Sequence, residues 1–244
     1  MIGSPHKMNR DEIKKSIDTV QRAQRNYDLS KSIPNEDLEL LIYAAKKSPS
    51  KQNEKHLSLH IFTDEYIIKQ IYNCTHKFTL GIKEALEEDK GENWLYQNYA
   101  VKNSQVYANV LFVYVEDEGE ARGATHLRGK NGSEFGQRVL TEQKNYSMGI
   151  SVGELILTAG LLGYKTGICS AMDEEPVKKL IKTEKEPKLL VGIGYENEDR
   201  DRKEHADTLN KDVPEDCRNG LPNEFWKFPS YNKETTIYLN GRSL

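Results

Sequence analysis

The sequence predicts one domain that mixes helices with strands, and three stretches carry that expectation. Residues 149–172, GISVGELILTAGLLGYKTGICSAM, form the most apolar long run in an otherwise polar chain. Ile150, Val152, Leu155, Ile156, Leu157, Leu161 and Leu162 cover most of a helix surface there, and a helix apolar on nearly all sides belongs in a core. Residues 107–115, YANVLFVYV, are apolar at successive positions, the pattern of a central strand buried on both faces. Residues 188–195, KLLVGIGY, give a second short buried strand ending in glycines. No internal repeat or low-complexity linker interrupts the chain, so residues 1–244 read as a single domain.

Composition narrows the function classes. Charged residues are 30% and hydrophobic residues 36% of the 244, so the chain can bury a substantial core. No run approaches the length of a membrane span, and residues 1–8 read as a disordered leader without a signal-peptide core. Lys and Arg total 35 against 38 for Asp and Glu, a net charge of -3 that gives no reason to expect nucleic-acid binding. Cys74, Cys169 and Cys217 are too scattered for a disulfide framework or a structural zinc site. A reducing cytoplasm is therefore expected, with no metal.

In chain order, Asn9 and Glu12 have capping-box spacing, and Ile13, Ile17 and Val20 give the following helix one inward face. It runs into Gln21-Arg22-Ala23-Gln24-Arg25-Asn26-Tyr27-Asp28. Those arginines suit a solvated helix end; the alternative is a forked guanidinium grip on an anion. Pro34 opens a second helix at a position proline tolerates, with Leu38, Leu41, Ile42 and Ala45 facing inward. Ser48-Pro49-Ser50-Lys51-Gln52-Asn53 reads as a helix-to-strand connection shaped by Pro49. Leu57, Leu59 and Ile61 alternate with Ser58 and His60 as a half-buried strand, and residues 64–72 form another helix. Residues 73–103 are charged and weakly patterned, a surface helix and loop that could cover a site.

Residues 116–145 are polar, with glycines at 119, 123, 130, 132 and 136, and read as a long excursion. The central helix is expected to start at Ser151, which has capping-box spacing to Glu154, or at Ser147, and to end at Gly163. Residues 168–171 are too short for a helix. With the helix before them they read as core helix feeding core strand, or as a backbone surface for something flat. Val177, Leu180 and Ile181 mark one more helix face. Arg200, Arg202 and Lys203 form a basic cluster, either a solvated loop or a grip on a phosphate. Phe225, Trp226, Phe228 and Tyr231 are costly to leave in water, so residues 214–244 read as a tail that wraps a partner, most simply a second copy. Within it, residues 236–239 have strand propensity.

The order of these segments resembles that of the FMN-dependent nitroreductase family. The matching residues are Arg22-Ala23-Gln24-Arg25-Asn26-Tyr27 followed by Pro34, then Ser48-Pro49-Ser50-Lys51-Gln52-Asn53, then Leu161-Leu162-Gly163-Tyr164-Lys165-Thr166-Gly167-Ile168-Cys169, then Val191-Gly192-Ile193-Gly194-Tyr195. The resemblance implies an α+β fold, a mainly antiparallel sheet flanked by helices. It also implies an intertwined homodimer with a swapped C-terminal strand and two FMN molecules between the subunits. Carried over by residue, Arg22 and Arg25 would hold the FMN phosphate and the pyrimidine side of the ring. Ala23 stands where the family usually has serine, and Ser50, Lys51 and Asn53 would add contacts. Ile168, Cys169 and Ser170 would lie against one flavin face, and Arg202 and Lys203 would close on the phosphate, with Lys211 competing. Gln21 replaces an arginine, Lys51 replaces a serine, and Lys55-His56-Leu57 replaces a Gln-Pro-Trp.

The implied activity passes hydride from NAD(P)H through FMN to a nitroaromatic, a quinone or a similar small acceptor, with Arg25 stabilising reduced flavin. No side chain is required as nucleophile or base, and His56, His60, His76, His126 and His205 read as surface or core residues. The alternatives are a flavin-storage protein, a dehalogenase or flavin-fragmenting relative of the same fold, and a non-flavin interaction protein.

Overall fold

In the computed structural model, which describes residues 9–50, 53–54, 56–76, 78–79, 100–117, 133–202, 238–239 and 242–243, the most apolar strand of the sequence becomes β4 (Val110–Glu116). Residues 110–115 are all buried. Successive side chains point to opposite faces of a strand, so Val110, Phe112 and Tyr114 enter one core while Leu111, Val113 and Val115 enter another. β4 pairs on one side with β1 (Leu57–Phe62) and on the other with β6 (Pro187–Gly194), and β5 (Lys165–Cys169) closes the row beyond β6. Every pairing is antiparallel. This is an α+β protein, as the resemblance implied. Two short pairs complete the described strands, β2 (Phe78–Thr79) with β3 (Ala100–Val101) and β7 (Tyr238–Leu239) with β8 (Arg242–Ser243).

Helices cover both faces. α2 (Asn35–Lys47) and α4 (Glu134–Leu161) build the first core with Leu41, Ala45, Met148, Val152, Leu155 and Ala159, and α1 (Arg10–Val20) packs against α4. α3 (Glu65–Asn73) and α5 (Glu174–Ile181) build the second with Ile68, Ile71, Val177 and Ile181. Local chemistry sets their ends. Asn9 accepts from Asp11 N at 3.0 Å, Asp64 from Tyr66 N at 2.8 Å and Ser133 from Gly136 N at 3.1 Å, each satisfying a donor that the helix leaves open. Gly163 follows α4 at φ 88°, where a side chain would be strained.

The structure corrects several expectations. α4 starts at Glu134, capped by Ser133, so part of the expected excursion is helix. Its first half buries only scattered residues such as Gly136 and Ser147 and leaves Phe135 and Tyr146 exposed, so there is no apolar period to read. Nor is its apolar half buried all round: Ile150, Leu157 and Leu161 are 43%, 39% and 41% exposed. On α1 the buried residue is Ser16, against Gly160 of α4, while Ile17 is half-exposed. The strand predicted at 107–115 begins at Val110, preceded by a 3-10 turn at Ser104–Val106. The leader, most of the expected cover and residues 214–237 of the tail lie outside the described residues.

Candidate functional site

Beyond α1 the chain runs along the open edge of β5 and is pinned there. Gln24 N donates to Thr166 O at 2.8 Å and Asp28 N to Tyr195 O at 3.0 Å. Tyr27 is buried, and its hydroxyl donates to the carbonyls of Gln105 and Gly192 at 3.2 and 3.4 Å. Burial pushes its pKa well above the usual phenol range. Arg25 N donates to Arg202 O at 3.0 Å, and Asn26 Nδ2 to Asp201 O at 2.6 Å. These bonds bring two arginines together from positions far apart in sequence.

The arginines form a crowded basic site. Arg25 is buried, and its pKa is lowered to about 10, first by desolvation and then by the charge of Arg202. Desolvation followed by Arg22 lowers that of Arg202. Arg25 Nη1 and Arg202 Nη1 both reach the carbonyl of Ala23, at 3.5 and 3.4 Å, so Ala23 contributes its backbone. Like charges held this close are costly without a counter-ion. Forked guanidinium donors match the oxygens of a phosphate or carboxylate.

The segment that carries the cluster meets β5 at Thr166, through Gln24 N, and at Gly167, where a Cβ would lie 3.0 Å from the Gln24 carbonyl oxygen. Ile168 faces outward at 38% exposure, whereas Cys169 is 5% exposed and belongs to the second core. The Cys169 thiol donates to Ala171 O at 3.6 Å, and burial raises its pKa, so a reactive thiolate is disfavoured. Ser170 is exposed. What lies on this surface therefore meets the Ile168 and Ser170 side chains and the backbone, not the Cys169 sulfur.

The surface is braced from beneath by residues to which the sequence attached no role. Gly167 and Gly192 are register partners on β5 and β6. A Cβ on Gly167 would lie 2.5 Å from Gln105 Cβ, and one on Gly192 2.4 Å from Gln105 O. Their bareness seats the Ser104–Val106 turn on the sheet. Gln105 Nε2 then donates to Asn103 Oδ1 at 3.3 Å and Ile168 O at 3.4 Å, and Asn103 Nδ2 donates to His76 O at 3.0 Å. Two amides ahead of an apolar strand were the available signal.

Ser50 and Asn53 lie elsewhere. Ser50 lines a cavity of about 300 Å³ with Ile42, Ala45, Leu57, Leu59 and Ile61, and Asn53 has φ 58°. The strand order is β1-β4-β6-β5, so this loop sits at the β1 edge and the arginines at the β5 edge. Three inter-strand spacings separate those edges by roughly 14 Å. The structure thus brings Arg25 and Arg202 together on the Ala23 carbonyl, with Arg22 close enough to act on the charge of Arg202, while Ile168 and Cys169 end the β5 strand to which this segment is bonded, Ser170 follows it, and Ser50 lies by β1 at the other edge. Lys51, Lys203 and Lys211 lie outside the described residues. Among the described residues no acidic, His or Cys cluster could hold a metal ion, and no helix is long and apolar enough to cross a membrane.

The sequence profile of the Nitroreductase family matches residues 20–195, the span that carries the arginine segment, both loops and the whole four-stranded sheet. The chain belongs to the nitroreductase family. Solved structures share its fold. A nitroreductase family protein from Streptococcus pneumoniae TIGR4 is 16% identical with a TM-score of 0.52, covering 79% of this chain and 93% of that one. An FMN-dependent nitroreductase from Clostridium difficile R20291 is 14% identical with a TM-score of 0.50, covering 77% and 89%. A Staphylococcus epidermidis ATCC 12228 protein, provisionally named an NAD(P)H:FMN oxidoreductase, is 15% identical with a TM-score of 0.53, covering 82% and 93%. No curated protein matches the chain in sequence.

Proposed function

We propose that this protein is an FMN-dependent oxidoreductase that passes hydride from NAD(P)H to a small oxidised acceptor such as a quinone or nitroaromatic. The observation that carries this reading is the convergence of Arg22, Arg25 and Arg202 on a segment hydrogen-bonded to β5, the strand whose end turns Ile168 and Ser170 outward. The donor set fits FMN. Mutually repelling guanidiniums, that of Arg25 buried and that of Arg202 half-buried, suit its phosphate, and an exposed strand end suits a flat ring. Bound FMN would accept hydride from NAD(P)H and release it to the acceptor. Arg25 and Arg202 would hold the phosphate, with Arg25 also countering negative charge on the reduced ring. Ile168 and Ser170 would present the surface on which the ring rests, and Gln105 would fix the backbone there. The names of the structural neighbours support both FMN and a nicotinamide co-substrate.

The site is proposed to be completed by a second copy in a cytoplasmic homodimer of single-domain chains. Ser50 lies by β1 and the Arg25 segment by β5, at opposite edges of the sheet, which supports Ser50 and Asn53 serving the partner's flavin. Tyr146, Ile150, Leu157 and Leu161 form an exposed apolar stripe on α4, at spacings that share one helix face, and such a stripe supports a helix-mediated contact. An absorption spectrum taken after FMN addition and desalting, followed by anaerobic titration with NADH and NADPH, tests the function. Retained flavin that bleaches rapidly is the expected result. A protein that refuses FMN overturns the reading, and one that holds FMN without being reduced is a storage protein.

A further inference from the structure

We infer that the cleft between α2, β1 and α4 binds a neutral, planar molecule of two fused aromatic rings. The cleft stands at the β1 edge of the sheet, whereas the arginines stand at the β5 edge. It is therefore a second site within the chain, and its occupant is independent of the flavin. Its floor is Leu57, Leu59 and Ile61, alternate residues that share one face of β1. Ile42 and Ala45, neighbours on successive turns of α2, form a second wall.

The walls are fixed by bonds that owe nothing to a ligand. Ala45 is buried, and its carbonyl accepts from Ser48 Oγ at 3.1 Å and from Ser151 Oγ at 2.8 Å, which ties the last turn of α2 to α4. Every residue of β1 from Leu57 to Phe62 has a register partner on β4. Ile42, Leu57, Leu59 and Ile61 are nevertheless only half-buried, and apolar surface left in water favours an apolar occupant.

Size and chemistry select that occupant. The cleft measures about 300 Å³. An apolar cavity of about 150 Å³ holds benzene, so this one admits two rings. A strand face meeting one side of a helix suits a planar body. The Ser48 and Ser147 hydroxyls, also in the lining, already donate to the carbonyls of Ala45 and Gln143, so neither is left to donate to an anion. Lys46 is the one charged residue among the described lining, and it repels a cation. A neutral aromatic molecule meets neither objection.

The test titrates the full chain, with and without FMN, with 2-naphthol, followed by the fluorescence of the ligand. Saturable binding of one molecule per chain is expected, unchanged by FMN. The cation of 2-naphthylmethylamine should bind roughly tenfold more weakly or worse. Leu59→Trp fills the cleft from the strand and Ile42→Phe from the helix, and each should abolish binding. Leu40→Trp, on α2 but outside the lining, should leave it intact. The two blocking variants act from different elements, so the test stands if one of them fails to fold. Wild type without saturable binding overturns the inference and leaves the cleft to protein, such as the aromatic tail of this chain. Binding that survives both blocking variants overturns it, and so does binding that FMN displaces. A chain that binds 2-naphthol but refuses FMN loses the oxidoreductase reading and keeps this one.

Discussion

Arg25 carries an electrostatic cost in the fold, as burial and the neighbouring Arg202 both disfavour its charged form. Its folded pKa of about 10 lies below the usual 12.5, so the charged form is disfavoured in the fold by roughly 3 kcal/mol. The guanidinium is charged throughout the neutral range, so this penalty is fully present at pH 7 and is relieved only as pH rises above about 10. An anion bound beside it would offset that cost. Arg25→Met should therefore raise the melting temperature of FMN-free protein, by about 2–4 °C for each kcal/mol recovered, while FMN retention after desalting is lost. A variant that melts lower and still holds flavin would show that Arg25 is a structural residue. The arginines themselves were legible in the sequence. Their convergence on the Ala23 carbonyl was not, because Arg202 arrives through a backbone bond to Arg25 that no local pattern encodes.

Helix α4 carries two different surfaces, and each predicts its own outcome. On the inner side Gly160 meets α1, where a Cβ would lie 2.6 Å from the Ser16 carbonyl and 2.9 Å from Val20. Gly160→Ala should lower stability by about 1–3 kcal/mol, read as a shifted urea midpoint; an unchanged midpoint would mean that α1 slides aside freely. On the outer side Leu157 stands 39% exposed in the apolar stripe. If the proposed homodimer forms through this stripe, Leu157→Arg should sediment as monomer and carry less flavin than wild type. A dimer that survives this change would move the interface off α4. The run of apolar residues was plain in the sequence, but it identified only a helix that avoids water. Whether each side meets the same chain or another is a tertiary question, and here the answer differs between Leu155, which is fully buried, and Leu157.

Across the whole molecule, buried tyrosines tie the sheet to its surroundings and set an alkaline limit. Tyr114 has its pKa pushed up to about 12 by burial, and that of Tyr27 is raised further. Unfolded tyrosine ionises near pH 10, so the unfolded chain loses protons first and stability falls as pH rises above that value. Each tyrosine contributes a slope of roughly 1.4 kcal/mol per pH unit. Arg25 and Arg202 act in the opposite direction, but Tyr107 and Tyr164 are raised as well, so the tyrosines outnumber the arginines and the net change is downward. Urea midpoints measured from pH 9 to pH 11.5 should decline steeply past pH 10; a flat profile would show that these hydroxyls ionise within the fold. The sequence by itself determined the elements whose residues all agree locally. β4 is apolar at every position from Val110 to Val115, α2 and α5 keep a regular inward stripe, Gly163 ends α4, and four ordered motifs led to the family. Only the tertiary structure decided that Cys169 turns inward, that the Ser50 loop and Arg25 occupy opposite sheet edges, and that Asn103, Gln105 and His76 brace one surface. Periodicity reports which side of an element avoids water. It carries no information about which distant segment supplies the neighbour, and a binding site is made of such neighbours.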